Sequence, residues 1–179
     1  MRKSLFIAGL VLAMAAGGAH ATGVGVGVYG GLAYPVVQDD VDSGTLLGLR
    51  VPVSLTPILT VEPFYMSSAL GDKDQTLGGI SYTREGFDGK GYGVNAMLGS
   101  PIGMGFHFYP VAGIGKYKLE RTGSEDISEV GYNVGLGIGI GATPKVSLQL
   151  RGELNLVKTG DSSRKFANVT GGLTYSLMP

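Results

Sequence analysis

Cysteine is absent from the 179 residues, so no disulfide staples the fold, and thiol chemistry and Cys-ligated metal are excluded. Histidine is almost as scarce, with His20 and His107 the two present, which narrows the room for acid–base catalysis. Charge is sparse and balanced, at 16% of residues with 14 basic against 14 acidic. No basic excess marks a nucleic-acid partner. Long apolar runs are missing too: the longest, from Leu5 to Ala16, is about 12 residues, too short to span a bilayer comfortably as a helix.

That short run has a different meaning from its position. Met1, Arg2 and Lys3 precede it and Gly17-Gly18-Ala19-His20-Ala21 follow it, giving a charged start, an apolar middle and a small-x-small cleavage site. The expectation is an exported chain, cut after Ala21, with a signal peptide over 1–21 and one mature domain over 22–179. Removal of Arg2, Lys3 and His20 leaves the mature part slightly acidic, with His107 as its single histidine.

Glycine, by contrast, is abundant at 32 of 179 residues, against an average near roughly 7%. Its placement is regular. Gly131 to Gly141 reads Gly-Tyr-Asn-Val-Gly-Leu-Gly-Ile-Gly-Ile-Gly, so Tyr132, Val134, Leu136, Ile138 and Ile140 share one face, and Asn133 and the intervening glycines the other. Period two is the signature of a strand. A Gly-rich face weakens a soluble sheet, but it suits a narrow barrel whose apolar face meets lipid and whose inner face must leave room for side chains from neighbouring strands.

The same rhythm recurs in about eight segments, as expected for membrane strands bounded by turn residues. The first runs near Gly23 to Tyr34, with Val24, Val26, Val28 and Leu32 on one face. The second, Thr45 to Leu55, aligns Leu47, Leu49, Val51 and Val53, and a less regular third covers Leu59 to Leu70. The fourth, Gly86 to Gly99, sets Tyr92, Val94, Ala96 and Leu98 against Gly91, Gly93, Asn95 and Met97. In the fifth, Phe106 to Leu119, the phase is ambiguous and a bulge is the expected cause. The sixth is the glycine run. The seventh, Val146 to Lys158, opposes five aliphatic residues to Ser147, Gln149, Arg151, Glu153 and Asn155, and the eighth is Phe166 to Leu177.

Connections alternate in length: short at Thr56 to Ile58, Ser100 to Met104 and Thr143 to Lys145, and long and polar at Pro35 to Gly44, Gly71 to Glu85, Glu120 to Glu129 and Thr159 to Lys165. Short periplasmic turns and long external loops give this asymmetry. Pro52, Pro63 and Pro110 fall inside proposed strands, where each removes a ladder donor, so bulges or strand ends are expected there.

These features together resemble the small bacterial outer-membrane β-barrel family, the type represented by OmpX and by the membrane domain of OmpA. The resemblance covers nearly the whole mature chain and rests on the export signal, strand count, loop asymmetry, the Pro-Val-Ala-Gly-Ile-Gly and Gly-Ile-Gly runs, and the closing Gly-Leu-Thr-Tyr-Ser-Leu. It implies an all-β, antiparallel eight-stranded transmembrane barrel in the outer membrane of a Gram-negative bacterium. Its implied partners are outer-membrane lipids, lipopolysaccharide and the outer-membrane assembly machinery. Such barrels commonly finish on an aromatic residue read during assembly; here Leu177 takes that place and Met178-Pro179 follow.

Four charged residues fall on inward positions: Arg50, Glu62, Arg151 and Glu153. A basic residue facing lipid at mid-membrane costs about 2 to 4 kcal/mol, so these groups are expected to pair inside. They read as an ion-pair plug filling the lumen or, functionally, as a gate or proton path. The acidic stretch Gln38 to Gly44 lacks calcium-loop spacing and reads as a solvated loop. His107 has no neighbouring serine motif and reads as an interfacial residue, while Phe106, Phe108, Tyr109, Tyr132 and Tyr175 suit aromatic girdles. The expected function is non-enzymatic, without cofactor or metal: an envelope-structural or surface-loop role. A narrow porin-like channel and a soluble periplasmic ligand-binding barrel, which needs apolar residues inward, are the alternatives.

Overall fold

The computed structural model describes residues 22–36, 42–77, 80–84, 86–120, 127–159 and 162–178. The expected signal peptide lies outside these residues, as does most of the acidic stretch that begins at Gln38. The described residues form strands and no helix: β1 Gly23–Val36, β2 Gly44–Arg50, β3 Val53–Thr56, β4 Leu59–Leu70, β5 Lys73–Leu77, β6 Ile80–Arg84, β7 Phe87–Leu98, β8 Gly105–Glu120, β9 Ile127–Gly141, β10 Val146–Thr159 and β11 Ser162–Met178.

Each strand of the main sheet pairs antiparallel with its neighbours, and β11 pairs back onto β1 from Val24↔Met178 to Val36↔Lys165. The sheet is therefore closed. Strands β2 and β3 are two halves of one stave, because the register set by Arg50↔Phe64 continues unchanged to Val53↔Val61. Eight staves result, an up-and-down barrel in which every stave has a partner on both sides, the condition for crossing lipid with strands.

Two prolines explain the interruption between β2 and β3. The N–H of Gly25 donates to the Pro52 carbonyl and the N–H of Val51 to the Pro63 carbonyl, both at 2.9 Å. Neither proline can return the bond, so two adjacent rungs each lack half their hydrogen bonds and the ladder is interrupted without a change of register. Pro110 sits one residue beyond the last β7–β8 pair, Met97↔Val111. Strand β8 itself carries no bulge: its ladders to β7 and β9 run without a register shift, contrary to the bulge expected there. The irregularities fall instead at Val24/Gly25 and between Ser54 and Thr56, near the short turns. The loop expected over Gly71 to Glu85 also holds structure, since β5 and β6 pair as a separate hairpin from Lys73↔Arg84 to Leu77↔Ile80.

The faces follow the sequence rhythm. Val26, Val28, Leu47, Leu49, Val134, Leu136, Leu150 and Leu154 are exposed on the outer wall, while Asn95, Asn133, Gln149, Asn155, Asn168 and Thr174 are buried inside. Apolar residues cover the outer wall and polar residues line the middle of the lumen, the arrangement of a membrane barrel; a soluble ligand-binding barrel would turn its apolar face inward along its whole length. On β10 the outward apolar column from Val146 to Leu156 covers about ten steps of about 3.4 Å; at a tilt near 40° that rises roughly 26 Å, the height of a membrane band. Phe106, Phe108 and Tyr175 lie on this wall toward the turn end, and Tyr34, Tyr92 and Tyr132 toward the loop end. Tyr109 does not join them. It is wholly buried and points into the lumen. Val53, aligned by sequence with Leu47 and Leu49, is also buried.

Candidate functional site

Glycines on the inner face are what make the lumen wide enough for large side chains. A Cβ added at Gly137 would collide with the Tyr109 ring, and one at Gly48 with the Tyr29 ring. The Tyr117 ring lies between Gly91 and Gly131, whose added Cβ atoms would come within 2.8 Å and 2.7 Å of it. Phe64 occupies the space left by Gly93, at 2.9 Å by the same measure. Alternating glycine thus gives these four inward rings a facing recess.

At the centre of the barrel Arg151 from β10 reaches across to Glu62 on β4. Its Nη1 donates to Oε1 at 2.7 Å and its Nη2 to Oε2 at 3.1 Å, a two-pronged pair with neither side chain appreciably exposed. Asn95 Nδ2 donates to the same Oε1 at 3.0 Å, and Asn133 Nδ2 donates in turn to Asn95 Oδ1 at 3.0 Å. Glu153, two residues along β10, lies 3.7 Å from Arg151 Nη1. Arg50 takes a different course: its guanidinium stacks over Tyr29, 5.0 Å from the ring centre, and is paired with no carboxylate among the described residues. The structure therefore brings three of the four sequence-selected charges into one cluster and sets Arg50 against an aromatic face. Desolvated pairs of this kind hold only with good geometry and extra hydrogen bonds, which the two asparagines provide. A cavity of about 10 Å³ lies beside the cluster, lined among others by Asn133, Glu153, Asn155 and Asn168. Each of these has a buried polar atom without a hydrogen-bond partner, and the space suits about one water.

Toward the turn end the lumen is stoppered by the β7–β8 turn. Gly99, Gly103 and Gly105 adopt φ of 113°, 123° and 94°, a region that side-chain-bearing residues rarely enter, and the chain between them folds inward so that Pro101 and Ile102 are buried. Gln149 Nε2 donates to the Pro101 carbonyl at 3.3 Å and to Thr174 Oγ1 at 2.8 Å, while its Oε1 accepts from the Tyr109 hydroxyl at 3.2 Å. Ser54 Oγ lies 2.8 Å from Ser100 Oγ and 3.1 Å from Thr60 Oγ1, and the Thr60 hydroxyl donates to the Gly99 carbonyl at 2.8 Å. This stopper was read from sequence only as a short link. His107 faces the lumen beside it, with Nε2 buried and bonded to no serine or carboxylate among the described residues.

Toward the loop end the inner wall turns apolar. Ala33, Leu46, Leu70, Leu119, Val157 and Phe166 form a buried cluster with Phe64 and Tyr117, around a cavity of about 20 Å³. These residues come from six strands, so no single segment shows the cluster as a pattern. No group of His, Asp or Glu among the described residues is arranged to hold a metal.

The family model for the outer membrane protein beta-barrel domain matches residues 4–176. No curated protein matches by sequence. Among solved structures, Neisserial surface protein A superposes with a TM-score of 0.60 at 14% identity, over 86% of this chain and 95% of that one. The N-terminal β-barrel domain of Pseudomonas aeruginosa OprF gives 0.52 at 14% identity, over 87% and 98%. The Yersinia pestis outer membrane protein Ail, in a phospholipid bilayer nanodisc, gives 0.51 at 15% identity, over 87% and 99%. At such identities the likeness is one of fold.

Proposed function

Because the chain belongs to the outer-membrane protein β-barrel domain family, we propose that it is a non-enzymatic integral protein of the outer membrane that serves the envelope as a closed scaffold presenting its long loops. The observation that carries this reading is the closure of the lumen at three levels: the Pro101–Ile102 stopper, the Arg151–Glu62 pair and the apolar cluster around Tyr117. A barrel of about eight staves has an interior just filled by side chains, and two cavities among the described residues, about 20 Å³ and 10 Å³, suit isolated waters and are too small for a hydrated ion. The β5–β6 hairpin stiffens one loop beyond the barrel, which suits a surface contact. Lipopolysaccharide and membrane lipid are the immediate partners in this reading, and the assembly machinery acts during insertion.

The test is planar-bilayer recording on protein whose folding is established by a heat-dependent gel shift. Folded protein without unitary conductance supports the closed scaffold. Stable conductance steps overturn it in favour of a narrow channel, in which Arg151 would exchange Glu62 for Glu153.

A further inference from the structure

His107 is the single histidine among the described residues, and its Nε2 is buried in the lumen without a hydrogen-bond partner. It stands on β8 opposite Gly139, which in turn stands opposite Gln149 on β10. With no side chain at 139, the recess between them is shared: a Cβ added there would lie 3.7 Å from the His107 Cβ and 3.8 Å from both the Pro101 carbonyl oxygen and the Tyr109 ring. One at Gly103 would lie 3.6 Å from the His107 Cε1 and 3.7 Å from its Nε2. The buried edge of the imidazole therefore rests on the backbone of the inward turn, close to the carbonyl that Gln149 holds.

That edge has no acceptor to serve a second proton. The carbonyls of Gly99, Pro101, Ile102 and Gly103 already accept from Thr60, Gln149, Ser100 and Ser147. The polar side chains around the stopper are Ser54 and Thr60 of β3 and β4, Tyr109 of β8, Ser147 and Gln149 of β10 and Thr174 of β11, and of these Tyr109 alone is titratable. The charged groups on the surrounding staves are cations. Arg50 shares the space at Gly27 with Thr174, Arg151 lies over the Tyr109 ring, and Lys145 sits in the turn whose carbonyl accepts from the N–H of Ser176. The described strands carry no Asp or Glu on the turn side of Glu62 and Glu153, and Glu62 is taken by Arg151. An imidazolium here is a buried, unpaired charge among cations, whereas a neutral ring leaves one polar nitrogen unmet.

Glycine at both ends gives the turn room to move. Gly99 and Gly105 have positive φ, and a Cβ at Gly105 would touch nothing, so glycine there serves the backbone conformation. We propose that His107 is a proton-controlled latch on the stopper: the neutral ring lets the turn seat inside the lumen, and protonation drives the turn outward about Gly99 and Gly105, uncovering Pro101 and Ile102. Water reaches the imidazolium in the released form, which therefore takes up the proton more readily, and acid favours release. Histidine is the side chain that changes charge in the mildly acid range. The Arg151–Glu62 pair and the apolar cluster stay in place, so the barrel is closed to ions with the turn in or out. What acid changes is the surface that the turn end presents to solvent.

The experiment is methyl NMR on the full chain folded in phosphatidylcholine nanodiscs, with isoleucine methyls labelled and a soluble paramagnetic chelate as the probe of exposure, titrated between about pH 8 and pH 5. In the wild type, chelate-induced relaxation of Ile102 is expected to rise as pH falls, at the same midpoint as the His107 ring signals. The ratio of released to closed turn should grow by at most about tenfold per pH unit, the ceiling for a single proton. Ile138 on the outer wall should stay unaffected. His107→Gln should hold Ile102 shielded throughout, and Gln149→Ala, which loosens the turn and keeps the histidine, should move the midpoint to higher pH. Ile102 equally shielded across the range in the wild type, or a transition that persists in His107→Gln, overturns the proposal. If His107→Gln does not show the heat-dependent gel shift of a folded barrel, the wild type decides: separate midpoints for Ile102 and the His107 ring overturn it.

Discussion

Tyr109 and Gly137 are partners across the β8–β9 ladder, and the tyrosine ring fills the place where a side chain on residue 137 would stand. The glycine is required by its neighbour's volume, since its own backbone is ordinary extended strand. Gly137→Val should therefore lower stability by about 1 to 3 kcal/mol through overpacking, read as an earlier temperature for the gel-mobility shift. Adding Tyr109→Ala should restore part of the loss, which a simple strand-propensity effect would not.

Removing one member of the central pair leaves the other buried and unpaired. Glu62→Ala should cost about 3 to 5 kcal/mol, measured as the urea midpoint of the barrel in lipid vesicles. Replacing both partners, as in Glu62→Leu with Arg151→Leu, should cost clearly less. If single and double variants lose the same amount, Asn95 and Tyr109 carry the stability attributed to the pair.

Val134 stands near the middle of β9 on the outer wall and is 53% exposed. Facing water, Val134→Arg would be nearly neutral. Facing hydrocarbon at mid-depth, it should cost about 2 to 4 kcal/mol, whereas Lys158→Leu at the rim should change stability little. Refolding yields into vesicles, compared for the two variants, separate a lipid-facing wall from a solvated one.

Gln149 ties the inward turn to β11 and to Tyr109. Gln149→Ala should leave the barrel folded and release the turn, so amide exchange at Ile102 is expected to accelerate while exchange at Leu150 and Arg151 stays slow. Unchanged exchange at Ile102 would mean that the hydroxyl cluster of Ser54, Thr60 and Ser100 holds the turn without Gln149.

Which parts of the fold could be read in advance follows from where the information lies. Faces of β1, β7, β9, β10 and β11 were legible because polar or glycine residues alternate with aliphatic ones along a single segment. Strand β8 was not: Tyr109 and Tyr117 point inward while Phe106 and Phe108 point outward, so aromatic residues occupy both faces and the alternation cancels. The β5–β6 hairpin was hidden by its polar composition. Inward orientation of Arg50, Glu62, Arg151 and Glu153 followed from parity, but the choice of Glu62 as the partner of Arg151 depends on side chains crossing the lumen between β4 and β10. The same holds for the fit of Tyr109 to Gly137 and for the apolar cluster at the loop end, whose members are spread over six strands.

Closure of β1 onto β11 joins the first described strand to the last, with Val28 opposite Leu173 and Leu32 opposite Val169. That seam has the greatest sequence separation in the molecule, so its loop-closure entropy must be met before any of its bonds can form. Until then both seam strands present free edges, each a template for pairing with another chain. The barrel cannot complete itself while it is still being synthesised or exported, and the interval between emergence of β1 and arrival of β11 is the period in which a protective escort matters most.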